Sequence, residues 1–228
     1  MLRTATALAA FCLGLLGVAA AIAPQPAPPA ALNAAIAATA SARAAYAFDM
    51  DIRSSKIDWR THFDPHATPH LQLVQPTLAS LRADQRRAFD DAAHRMEGLP
   101  WCAGAEMGHI ANVRVLRDDT DATTFAFQPT RDSIRSEQAR QFANQLRGEF
   151  TLTKSNPDIA RIHIFAPAPF SPAMLVNITR MDIVITCANA PNNRRYAAET
   201  ITEIAGAALG QAFSERSVQR THDLAPAT

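Results

Sequence analysis

From residue 46 onward the chain changes sides at almost every step. In "YAFDMDIR", Tyr46, Phe48, Met50 and Ile52 alternate with Ala47, Asp49, Asp51 and Arg53. Side chains on a strand point alternately to two faces, so the stretch predicts a strand with one buried and one wet side. Ile57, Trp59 and Phe63 predict a returning strand after a turn at "SSK". "HLQLVQP" predicts a third, stopped by Pro76, since proline cannot donate to a sheet ladder. "ANVRVLRDD" and "ATTFAFQP" read as a hairpin across "DDTD". "GEFTLTKSNPD", "IARIHIFAP" and "MLVNITRMDIVITCAN" continue the series. In the last of these the apolar phase slips near Thr179: Met174, Val176 and Ile178 precede Met181, Ile183 and Ile185. An extra residue in a bulge would return the apolar set to one face.

Two segments switch to a helical period. In residues 77–98, Leu81, Ala88, Phe89, Ala92, Ala93 and Met96 line one side of a helix. Thr77 or Ser80 caps it, and Gly98 with Pro100 ends it. In residues 136–148, Ala139, Phe142, Ala143 and Leu146 recur at helical spacing, with Arg147 and Gly148 as a stop. The stretch from Tyr196 to Arg220 is ambiguous. Ile201, Ile204, Ala205, Ala208 and Leu209 suit a helix, whereas Thr200, Thr202 and the turn "APNNRR" suit a return strand. The strand is the reading adopted. About seven to nine strands with short turns, and no regular strand–helix alternation, predict an α+β fold. The expected architecture is a curved antiparallel β-sheet with two or more helices packed on one face.

The N-terminus addresses location. Arg3 precedes the apolar run "ALAAFCLGLLGVAAAIA", and Ala21 and Ala23 provide small residues before a cut, the layout of a secretory signal peptide. Retained, residues 1–23 would form an anchor near the length that crosses a bilayer. Residues 24–45 read as a Pro/Ala-rich tether whose alanine part can be helical but lies outside the main core. Residues 46–222 then form a single domain. The chain of 228 residues carries 22 basic against 21 acidic side chains. Loss of residues 1–23 removes only Arg3, so the remainder is near neutral and offers no electrostatic grip on nucleic acid. Cys12 sits within the apolar run and lacks the small preceding residue of an acylation site. Cys102 and Cys187, 85 residues apart, are expected to form a disulfide in an oxidising compartment. The order of these elements, from about Ala47 to Arg220, and the expected compartment resemble the half-barrel of periplasmic carriers of lipoproteins or lipids. That resemblance implies an apolar cargo held against a concave sheet.

No one-line motif names a reaction. "THFDPHATPH" brings His62, His66 and His70 to a spacing of four around Asp64. Pro65 and Pro69 break any helix there, so the spacing loses its geometric meaning and the segment reads as a loop. Asp90 and His94 pair along a helix. In "WCAGAEMGH", Glu106 and His109 could share acid–base work. The alternation places Arg161, His163 and Phe165 with Ile159 on one strand face, opposite Ile162 and Ile164. "APAPFSPAM" puts Phe170 on a stiff, exposed recognition loop, and Ser171 lacks a nucleophile-elbow setting. "NIT" at Asn177 matches a glycosylation acceptor but sits in an apolar strand. His62, His66, His70, Glu106, His109, Arg161, His163, Phe165 and Phe170 are thus candidates for ligand contact. No catalytic residue, metal or cofactor is assigned.

These features point to an exported cell-envelope or periplasmic binding or structural domain without an assembled catalytic site. Its partner would be an apolar small molecule, a lipid or an envelope protein, with membrane contact only through an uncleaved N-terminal segment. The alternatives are a lipid or lipoprotein carrier, and a hydrolase or metal-dependent enzyme with dispersed His and Glu residues.

Overall fold

The alternation at the start of the domain becomes strand β1 (Tyr46–Arg53) in a computed structural model that describes residues 29–42, 45–134 and 137–227. The expected signal or anchor segment, Cys12 and the proline-rich start of the tether lie outside the described residues. Tyr46, Phe48 and Met50 are buried on one side of β1, as the pattern requires. β2 (Asp58–Phe63) and β3 (Leu71–Gln75) follow, then β4 (Ala111–Asp118) with β5 (Ala122–Gln128), and β6 (Arg147–Thr153) with β7 (Ile159–Phe165). β8 (Phe170–Ala173), β9 (Val176–Asn189), β10 (Arg195–Ala208) and β11 (Gln211–Pro226) complete the set. All pair antiparallel in one open sheet of eleven strands, ordered β3-β2-β1-β11-β10-β9-β7-β6-β5-β4, with β8 on β9. The molecule is therefore mostly sheet.

Register explains how the core divides. One cross-strand row runs Trp59–Ile52–Gln219–Thr200–Ile185–Ile162–Phe150–Phe125. Its ends are apolar and its middle, Gln219 and Thr200, is polar. Two clusters form accordingly. One gathers Phe125, Phe127, Phe150, Ile159 and Ile162 with Cys102 and Cys187. The other gathers Phe48, Trp59, Phe63 and Leu71. The rings of Phe125 and Phe150 stack at 5.0 Å, and those of Phe48 and Phe63 at 4.9 Å. Such contacts add to the burial term that dominates each cluster.

The helices differ most from expectation. α1 (Ala30–Ser41) lies within the expected tether, yet Leu32 is fully buried and Ala35 nearly so, inside the first cluster. The alanine segment is thus part of the core: its small side chains let the helix sit close, and Leu32 supplies the volume. α2 (Ala83–Arg95) starts later than the Thr77 cap, after a 3-10 turn at Leu78–Ser80. The Gln85 side chain accepts from the Arg82 backbone N–H at 3.2 Å and closes the new start. Phe89 is its one buried residue, edge-on to Trp59 at 5.7 Å. The second expected helix shrinks to α3 (Glu137–Arg140) and a 3-10 turn at Ala143–Gln145. Its intended stop, Arg147 and Gly148, instead opens β6. Leu146, Gly148 and Phe150 are buried at period two, and the Gln128 amide donates to the carbonyls of Ala143 and Leu146 at 3.1 and 2.8 Å. These bonds end the turn before a helix can extend.

The ambiguous final stretch is extended and forms two strands. β10 and β11 join through Leu209 and Gly210, both with positive φ (51° and 79°), as a two-residue hairpin turn requires. The phase slip in β9 is a bulge: Ala205 pairs with Arg180 and Gly206 with Ile178, which leaves Thr179 unpaired. A Cβ on Gly206 would run into the carbonyl oxygen of Asn177. Gly206→Ala is expected to destabilise the protein by about 1–3 kcal/mol, the usual cost of overpacking. Hydrogen exchange should locate the effect in residues 176–180 and 204–208, and unchanged protection there would contradict it. Beyond Asp182, the last β9 residue paired with β7, β9 continues with β8, β10 and β11 as an arm. The turn of residues 54–57 is tied to β11: Glu215 accepts from the Ser55 hydroxyl at 2.6 Å and its backbone N–H at 3.1 Å. The Ser55 hydroxyl bond is the chief reason the Glu215 carboxyl sits below its ordinary range.

Candidate functional site

The loop histidines are dispersed. His62 lies on β2, His66 in a turn where its backbone N–H donates to Asp64 at 2.8 Å, and His70 just before β3. His70 packs beside Phe63 and lines a cleft of about 580 Å³ with Leu78, Phe89, Asp90 and His94. Asp90 and His94 thus belong to the rim of a surface cleft beside α2. Glu106 and His109 share the 3-10 turn Ala105–His109, where His109 is exposed and its carbonyl accepts from Thr130. Among the described residues no third donor joins them in a metal-type cluster.

On β7 the alternation is interrupted. Thr151 pairs with Arg161 but Leu152 with Ile159, so Ala160 is extra and Ile159 turns into the core at 0% exposure. Ile159 therefore does not share the Arg161–His163 face. Arg161 and His163 do come together, with Arg117, Thr124, Glu149 and Thr151, around a polar hollow of about 170 Å³. His163 Nε2 lies 3.2 Å from Asp182 Oδ2, and its ring stacks on Phe165 at 4.9 Å. These contacts form a hydrogen-bonded, partly exposed polar sheet surface. Phe170 is buried on β8 against Phe142 at 5.3 Å, so it does not serve as an exposed recognition residue. The exposed large apolar residues nearby are Met174 and Leu175.

Met174, Leu175 and Leu209 form the end of the arm, with 90%, 66% and 77% of their surface exposed. Ala173 pairs with Val176, so Met174 and Leu175 are a two-residue turn beside the Leu209–Gly210 turn. The Leu209 N–H donates to the Leu175 carbonyl at 2.9 Å and ties the two turns together. Leu175, like Leu209, has positive φ (64°). Around them, residues 166–179 and 204–214 contain no charged side chain.

A second grouping lies on the side of the sheet opposite the clusters. His62, Asp49 and His222 are direct cross-strand partners on β2, β1 and β11. The register slips next to this row, leaving Phe48 opposite both Asp223 and Leu224. Asp223 has φ 53°, and it stays beside His222 rather than facing away as the next residue of a regular strand would. The Nδ1–H of His62 donates to Asp49 Oδ1 at 2.6 Å, and that of His222 to Asp223 Oδ2 at 2.8 Å. Asp51, in the next row, lies 3.8 Å from His222 Nε2 and is also matched by Arg60 and Arg53 at 3.5 and 3.8 Å.

Cys102 and Cys187 are joined by a disulfide, with Cα atoms 6.4 Å apart. No described helix is long and apolar enough to cross a membrane. No protein-family model matches the chain, and neither a curated protein nor a solved structure matches it.

Proposed function

We propose that the protein is an exported binding domain of the cell envelope that engages a protein partner through the tip of the arm, without a catalytic centre of its own. The observation that carries this reading is the conformation of Leu175 and Leu209. Positive φ suits glycine and asparagine, and costs a leucine about 1–2 kcal/mol. Exposure adds a further cost for an apolar side chain, and no packing in the free protein offsets either. Apolar residues held at strained, wet turns point to a contact made elsewhere. The uncharged surroundings suit the desolvated centre of an interface. They also lack the Trp, Tyr, Lys and Arg that anchor a protein at a lipid headgroup layer, which favours a protein over a bilayer.

Export rests on the N-terminal pattern and accords with the disulfide. The cross-strand row supports the reading that α1 and α2 cover the same side of the sheet, since Leu32 and Ala35 of α1 share a cluster with Phe150 and Phe89 of α2 meets Trp59. The carrier reading has less support, because the larger cleft lies beside α2 and has a mixed polar lining.

The test is a photo-crosslinker at position 175, with one at 161 as control, in intact cells. A single protein adduct from 175 alone is expected, and its loss in the Leu175→Asn, Leu209→Asn double variant. That variant should fold as stably as the parent or more so, by up to about 1 kcal/mol per site. Adducts only to lipid or to a second copy, or a destabilised variant, would overturn the proposal. Appearance of the chain in the extracytoplasmic fraction, without residues 1–23, tests export separately.

A further inference from the structure

We propose that Asp49, His222 and Asp223 bind one divalent transition-metal ion, with His62 holding the Asp49 carboxylate in place. The four residues come from three neighbouring strands and meet only because of register. One ligand atom from each of Asp49, His222 and Asp223 lies within 4.8 Å of the others. Zinc bonds to nitrogen and oxygen of about 2.0–2.2 Å place neighbouring ligand atoms about 3.3 Å apart. The side chains are 34%, 39% and 77% exposed, so they are free to close that remaining distance. A proton now bridges His222 Nδ1 and Asp223 Oδ2 at 2.8 Å. Metal would take its place at Nδ1, the neutral ring then carrying its one proton on Nε2, 3.8 Å from Asp51 Oδ2, and the second oxygen of Asp49 would complete a three-residue set.

The charge balance favours a cation. Asp51 has guanidinium partners besides His222 Nε2, whereas among the described residues Asp49 and Asp223 are ion-paired only with the imidazoles of His62 and His222. An imidazole with two carboxylates is a donor set for zinc and its neighbours rather than for calcium, which takes six to eight oxygens. Three protein ligands leave a position for water. The bond from His62 is the kind of outer contact that orients a ligating group and typically changes affinity about 10–100-fold.

Calorimetric titration of the purified, untagged, disulfide-bonded protein with Zn²⁺, after removal of trace metal, tests the assignment. One Zn²⁺ per chain is expected, with no calcium heat. His222→Ala and Asp223→Asn should each weaken zinc more than tenfold, and His62→Ala by about 10–100-fold. His66→Ala, in the loop, should change nothing. Thermal unfolding of each variant without metal separates lost binding from lost fold. Asp223→Asn, at the most exposed of these sites, provides a reading even where His222→Ala does not fold. Binding that survives both His222→Ala and Asp223→Asn, or no saturable binding at about millimolar zinc, would overturn the proposal.

Discussion

Asp158→Ala is expected to lower the stability of the folded protein by about 3–5 kcal/mol, the range for removing one partner of a buried ion pair. The Asp158 and Arg194 side chains are 2% and 8% exposed, and Arg194 Nη2 donates to Asp158 Oδ2 at 2.7 Å. The same oxygen accepts from the Arg195 backbone N–H at 2.9 Å, and Oδ1 accepts from that of Ile159 at 2.8 Å. One carboxylate thus clamps the β9–β10 turn to the start of β7. Without it, two backbone donors and a guanidinium stay buried unmatched, with only the 3.2 Å bond from Arg194 to the Pro157 carbonyl remaining. The Arg194 Nε already has no partner, so the arginine has little capacity to adapt. Against the roughly 5–15 kcal/mol that holds an average domain together, the loss is a large fraction. Urea denaturation measures it. The Asp158→Ala, Arg194→Met double variant should recover most of the loss, because no orphaned charge remains. A single-variant cost below about 1 kcal/mol would show that water reaches the pair.

The clamp falls in a region the sequence describes only in part, and the reason is general. Period-two alternation is local, so β1 is readable residue by residue, whereas residues 196–220 suit helix and strand alike in sequence and are decided by pairing with β9 and β1. The slip near Thr179 is readable too, because a bulge in the middle of an apolar strand disturbs its pattern. A bulge beside a short or polar segment leaves no such trace. The extra residue at Ala160 reverses Ile159, and the slip opposite Phe48 brings Asp223 beside His222; neither disturbs a long apolar run. The dispersal of His62, His66 and His70 follows from Pro65 and Pro69, but His62 finds Asp49 on β1, and Asp49 in turn meets His222 on the distant β11, which depends on topology. Helix spacing misleads over residues 136–148 because Leu146, Gly148 and Phe150 satisfy a strand equally well, and the pairing with β5 decides. The Leu209–Gly210 turn lacks the Asn or Asp that usually announces a two-residue hairpin. That missing signal is the same observation on which the proposed binding role of the arm's tip rests.

Replacing both Cys102 and Cys187 with alanine is expected to cost about 4–5 kcal/mol by the chain-entropy relation for a closed loop of this length. The disulfide spans 85 residues and joins the segment before the 3-10 turn Ala105–His109 to β9. Its sulfurs lie in the cluster that also buries Leu32 and Ala35 of α1. Part of its positional work is duplicated. Trp101 bridges to Tyr196, the Cys102 N–H donates to the Arg195 carbonyl at 3.0 Å, and the Ala197 N–H to that of Pro100 at 2.8 Å. These bonds keep the native geometry in place, so the main effect of the substitution falls on the unfolded chain, which gains freedom and exposed surface. The urea midpoint should drop and the slope of the transition should steepen, since that slope follows the surface exposed on unfolding. Asp158→Ala acts on the folded side and should move the midpoint at constant slope. A double-cysteine variant that loses stability with no change in slope would instead place the disulfide's contribution in the native packing around α1.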